Sequence, residues 1–158
     1  MEKTMTKMTT KGAIRAKTTA APSVFETMSN LLGTPLGSDA DTLRLVRHGV
    51  PVRAYKSLQK RMGVPISLLG AETTLRRRVK EQKMFSPRES ERMVRLARVF
   101  AQSVDLFGSE ERARKWLNTP TTWAPDEAPT TPLELIADSE SGARLIEGKI
   151  LRTLHGMF

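Results

Sequence analysis

The stretch Ser86–Gly108, SPRESERMVRLARVFAQSVDLFG, decides how the rest of the chain is read. Ser86 is suited to cap a helix, Pro87 fits its first position, and Glu89 can reach back to complete a capping box. Met93, Leu96, Ala97, Phe100, Val104 and Phe107 then recur three or four residues apart, and Gly108 supplies a stop. The spacing predicts a helix over 87–107, roughly 30 Å long at about 1.5 Å per residue. Val99 and Leu106 fall on the side opposite the main stripe. A helix that is apolar on two sides packs between two partners. One is the protein's own core. The other is expected to be the next domain or a second copy of the chain, which makes Val99 and Leu106 candidate dimer contacts.

Upstream lies TTLRRRVKEQ, residues 73–82, with three consecutive arginines. On a helix, Leu75 and Val79 share the buried face, Thr73, Arg77 and Lys80 point away from it, and Arg76 and Arg78 flank it. A short apolar element (Ile66, Leu68, Leu69) and Gly70 precede this helix. The order fits a helix-turn-helix whose second helix carries a cationic outer face. Arg77 is then placed for a bidentate contact to guanine. Arg76 and Arg78 are placed for phosphates, which position a protein without reading sequence. Two plainer readings stay open: a solvated face paired with Glu72 and Glu81, or a contact with an acidic protein surface.

The charge distribution favours nucleic acid. The 158-residue chain has a net charge of +9. Residues 42–98 hold fifteen basic and four acidic side chains, a balance of +11, whereas residues 99–158 hold six and nine, a balance of −3. A basic segment beside a mildly acidic one suggests two binding tasks.

The remaining segments read as helices. Val24, Phe25, Met28, Leu31 and Leu32 are spaced like one short amphipathic helix that can dock onto the body, inside a Thr-, Ala- and Lys-rich tail, residues 1–38. Ser38 and Asp41 make an N-cap pair, Gly49 and Gly63 act as stops, and Ser109 opens a short helix bearing Ala113, Trp116 and Leu117. TPLE at 131–134 repeats the Ser-Pro-x-Glu capping logic, and the chain ends in an amphipathic helix. Gly148 lies inside that helix at a cost of about 1 kcal/mol relative to Ala, which suggests a close helix–helix approach there. Alternating strand patterns are nearly absent. The expected fold is all-α: a flexible tail (1–38), a helical DNA-binding and dimerisation domain (39–107), and a small helical domain (108–158).

Several function classes are disfavoured. Cysteine is absent, so thiol chemistry and disulfides are excluded. No apolar run approaches the roughly 18 residues of a membrane helix. His48 and His155 lie in no recognisable motif, and there is no P-loop, Rossmann fingerprint or zinc-ligand spacing. No catalytic residue, metal site or cofactor is expected, and the expected location is the cytoplasm.

From Leu75 to Phe158 the chain resembles the Xre/MbcA/ParS-like antitoxins, partners of RES-domain toxins. The resemblance is carried, in order, by TLRRRV, FSPRESERMVRLARVFAQSVDLFG, ARKWLNTP and PLELIADSESGARLIEGKILRTLHGMF. One departure is the loop TTWAPDEAPTTP, which is longer than the family's Leu-Gly-Gly segment and has no glycine. The resemblance implies an antitoxin with two tasks. Its helical domain would bind operator DNA as a homodimer and repress its own operon. Its C-terminal end would bind a RES-domain, NAD-consuming toxin in a larger hetero-oligomer. Arg152, His155, Met157 and Phe158 are then the expected toxin-binding residues. The alternative is a stand-alone DNA- or RNA-binding regulator with no toxin partner.

Overall fold

The computed structural model describes residues 22–156. Eight α-helices account for the regular structure among them: α1 (Val24–Leu32), α2 (Asp39–His48), α3 (Val52–Met62), α4 (Glu72–Lys80), α5 (Pro87–Phe107), α6 (Glu110–Leu117), α7 (Pro132–Asp138) and α8 (Glu140–Leu154). A single 3-10 turn, Ile66–Leu68, lies between α3 and α4, and one isolated bridge pairs Thr121 with Thr130. The all-α expectation holds.

α5 is the axis of the molecule. Its capping box is complete: Ser86 Oγ accepts from the Glu89 amide (3.2 Å) and Glu89 Oε2 accepts from the Ser86 amide (2.7 Å). Helices α1, α2, α3, α6, α7 and α8 all pack on it. Met93, Val94, Leu96, Ala97, Val99, Phe100 and Ala101 are all buried, so apolar side chains reach the core around most of the helix. This argues against Val99 as a dimer contact. Val99 is fully enclosed within a single chain, and Leu106 is half-buried against the same core. The second apolar side of α5 is covered by the chain's own helices.

Leu31 and Leu32 of α1 are fully buried, and α1 lies against α3 and α5, so the core begins well before residue 39. At the other end, Ile136, Ile146 and Ile150 join the same cluster as Leu58 and Leu96. No break in the core separates 39–107 from 108–156.

Polar ties reinforce the joint between α5 and α8. Arg95, only 8% exposed, donates through Nη1 to the Ile136 carbonyl (3.1 Å), and its Nε lies 3.5 Å from Glu140 Oε2, outside good hydrogen-bond alignment. Arg98 Nε donates to Glu147 Oε1 (2.7 Å), which also accepts from Gln102 (3.2 Å). Glu110 likewise pairs with Arg61. The acidic balance of the C-terminal third is therefore partly satisfied inside the chain.

Two glycines mark close backbone approaches. Gly49 has φ +95, and a Cβ there would sit 2.6 Å from the Phe85 carbonyl oxygen. Gly142 is tighter still: a Cβ would lie 2.1 Å from the Leu135 carbonyl oxygen, where α8 starts against α7. The close approach expected at Gly148 is not found, since a Cβ there would meet only the flexible Arg152 guanidinium, at 3.4 Å.

Candidate nucleic-acid interface

α4 is a poor helix on its own. It spans nine residues, and isolated helices shorter than about 12 residues are marginal in water. No side chain caps its N-terminus at Ala71, and only Leu75 is fully buried. Leu75 and Val79 do face the body, as the spacing predicts. The short apolar element expected before α4 is the 3-10 turn, against which α4 packs.

The outer face is cationic. Thr73, Arg76, Arg77 and Lys80 are exposed. Arg76 donates through Nε to Glu72 Oε1 (2.8 Å), an exposed pair of small energetic weight. Glu81 is engaged by Lys83: that hydrogen bond, then the charges of Lys83 and Arg77, hold its carboxyl below the usual range. Arg77 and Lys80 have no ion-pair partner among the described residues. Their charges are therefore available to an external anion.

Arg78 departs from the expected phosphate role. Its Nε lies 3.1 Å from Glu89 Oε2, and its Nη1 approaches the Met84 carbonyl (3.5 Å). The contact is an ion pair off hydrogen-bond alignment, between side chains 29% and 13% exposed. The guanidinium is turned inward, toward Glu89 at the start of α5.

The segment after α4 is fixed by residues that helical spacing did not single out. Gln82 turns the chain with φ +54. Phe85 is then buried edge-on against Tyr55, with ring centroids 5.8 Å apart. Its amide donates to the Val50 carbonyl (3.0 Å), and the Val50 amide donates to Ser90 Oγ (2.8 Å). The one sequence signal for Phe85 is its place just before the Ser86 cap, where an apolar residue often fixes how the chain enters a helix.

The expected partner-binding residues lie elsewhere. Arg152 and His155 are exposed at the end of α8, together with Leu151 (48%) and Leu154 (40%), so the last turn stands clear of the body. Met157 and Phe158 fall outside the described residues. No group of three or more potential ligands among the described residues is placed to hold a metal ion, and no described helix is long and apolar enough to cross a membrane.

Residues 41–98 match the model of the antitoxin Xre-like helix-turn-helix domain. Two curated relatives are both named Antitoxin Xre. One, from Yersinia enterocolitica, is 29% identical over 133 residues, covering 80% of this chain and 87% of that protein. The other, from Photorhabdus laumondii subsp. laumondii, is 28% identical over 132 residues, covering 80% and 86%. The cationic α4 thus lies within the stretch that matches the antitoxin Xre-like helix-turn-helix domain, in a chain similar over 80% of its length to two proteins named Antitoxin Xre.

Proposed function

We propose that the chain is the antitoxin of a toxin–antitoxin pair, binding operator DNA through α4 and its toxin through the end of α8. The observation that carries the reading is the outward set Thr73, Arg77 and Lys80 on a helix inside an Xre-like helix-turn-helix domain. Unpaired cations on a helix of this kind suit phosphate and guanine contacts. The names of the two relatives supply the antitoxin half. Operator binding as a dimer remains part of the proposal, through a surface other than Val99.

The toxin is proposed to be a RES-domain, NAD-consuming protein. The exposed last turn of α8 supports a protein partner on that side: Leu151 and Leu154 would lose water-exposed apolar surface on binding, with Arg152 and His155 at the rim. Gly156, at φ +67, follows the end of α8 and precedes Met157 and Phe158 in the sequence. The aromatic ring of Phe158 would suit a pocket built for a nucleotide's ring. Affinity capture of the tagged chain from its native host should recover a RES-domain protein as a stoichiometric partner. Deleting residues 156–158 should keep DNA binding and restore NAD consumption by that partner. Full inhibition by the bound, truncated chain would refute plugging of the pocket, and recovery of DNA with no protein partner would favour a stand-alone regulator.

A further inference from the structure

The inward turn of Arg78 is one half of a larger arrangement behind α4. Glu89 and Arg92, three residues apart on the first turns of α5, reach the two ends of α4. At the trailing end, Glu89 Oε2 meets Arg78 Nε at 3.1 Å. At the leading end, Arg92 Nη1 donates to the Leu69 carbonyl at 2.9 Å, two residues before the Ala71 cap position. Gly70 lies between them: a Cβ there would be 3.6 Å from Leu75, 3.8 Å from Glu89 and 3.9 Å from Arg92. These side chains therefore converge where α4 meets α5.

We infer that Glu89 and Arg92 form a two-ended polar clasp that sets the position of α4, with Arg78 as a positioning residue and not a phosphate ligand. The inference rests on the proposed DNA-binding role for its purpose, but the clasp itself is a property of the free protein. Its physical need is clear. α4 has one fully buried side chain, no side-chain N-cap and a run of three like charges, so apolar packing alone holds it weakly. Glu89 is suited to the task because its own carboxylate is already fixed by the Ser86 amide. A partner immobilised by α5's capping box adds little further ordering cost when Arg78 docks on it. The arrangement also separates the three arginines by role: Arg77 faces outward, Arg76 is tethered along its own helix to Glu72, and Arg78 faces α5.

Glu89→Gln is the sharpest variant. Glutamine retains the capping function but removes the charge facing Arg78. It also raises the net charge by one, so electrostatics alone predicts tighter DNA binding. The clasp predicts the opposite. The experiment uses the full chain in two measurements: amide hydrogen exchange along α4, and binding to a labelled duplex from the region upstream of its own gene across a salt series. Glu89→Gln and Arg78→Ala should each speed exchange in α4, with the rest of α5 unchanged, and weaken duplex binding about fivefold, the scale of one partly buried pair. The slope of log affinity against log salt should stay at the parent value, because no phosphate contact is lost. Arg78→Lys, which keeps the charge, should restore part of both losses. Unchanged α4 exchange in Glu89→Gln would overturn the clasp. A slope lowered by about one in Arg78→Ala would return Arg78 to the phosphate contacts. If the parent chain binds no duplex, the DNA reading fails, while the exchange result still decides the clasp.

Discussion

α4 and the last turn of α8 are both exposed, cationic pieces of helix, yet they are held in contrasting ways. α4 is short and tied at both ends to α5, with its linker locked by Phe85 on Tyr55. α8 is anchored at its start, where Gly142 meets the Leu135 backbone, and at its middle, where Glu147 meets Arg98, and its final turn extends past the body without tertiary support. The difference matches what each surface is proposed to contact. A DNA groove has a fixed shape, so a helix that reads it gains from being preorganised. A protein pocket can be met by a segment that settles on contact, with exposed leucines supplying apolar area.

The contrast can be broken most directly through leucines. Leu75→Ala should cost about 2–5 kcal/mol in urea unfolding, because Leu75 is fully buried and is the main apolar anchor of α4. Leu151→Ala and Leu154→Ala should each change stability by less than about 0.5 kcal/mol, because both are exposed. A comparable loss at Leu154 would mean the last turn is packed after all. Next come the two glycines of α8. Gly142→Ala should destabilise by about 1–3 kcal/mol, since the new Cβ would collide with a backbone oxygen that cannot swing away. Gly148→Ala should stabilise by up to about 1 kcal/mol, since it gains helix propensity and meets only a mobile guanidinium. Thermal melts of the two variants should therefore move in opposite directions.

DNA affinity sharpens the other side. Arg77→Ala should cost about 1–3 kcal/mol on the upstream duplex and flatten base preference. Arg76→Ala should weaken all duplexes alike and lower the salt slope by about one. Equal losses on specific and random duplexes for Arg77→Ala would move it to the backbone contacts. The smallest effect is a pH dependence. Burial is the main cause raising the Tyr55 hydroxyl above its ordinary 10.0, with a smaller opposing effect from Arg76. The folded state thus favours the neutral form. Its contribution is complete below 10.0 and lost as pH rises through the folded value. Tyr55→Phe should make the alkaline fall in unfolding free energy shallower, which urea titrations at rising pH would detect.

Local signals made much of this architecture readable in the sequence. Ser86, Ser109 and Thr131 start helices where the capping patterns place them, and Gly63 and Gly108 stop them in left-handed conformations. The outward face of α4 followed from helical period alone. Missed features depend on contacts between residues distant in sequence. The period showed two apolar sides on α5 but not that α1 and the helices after residue 108 would cover both, so Val99 read as an interface. Helical period put Arg76 and Arg78 alike on the flanks of α4, and only the fold brings Glu89 within reach of Arg78. At Gly148 an unfavourable residue suggested a close approach that lies six residues earlier, at Gly142, because propensity reveals a cost without locating its cause.

Gly49 makes the control of α4 visible to genetics. Any side chain at this position would press on the Phe85 carbonyl and strain a left-handed backbone. On the proposed reading, a selection for chains that no longer silence their own promoter should therefore return substitutions at Gly49 alongside those at Arg77. The two classes would part in a second assay. Arg77 alleles should still protect cells from the toxin at full strength, while Gly49 alleles should do so only as far as their lower abundance allows.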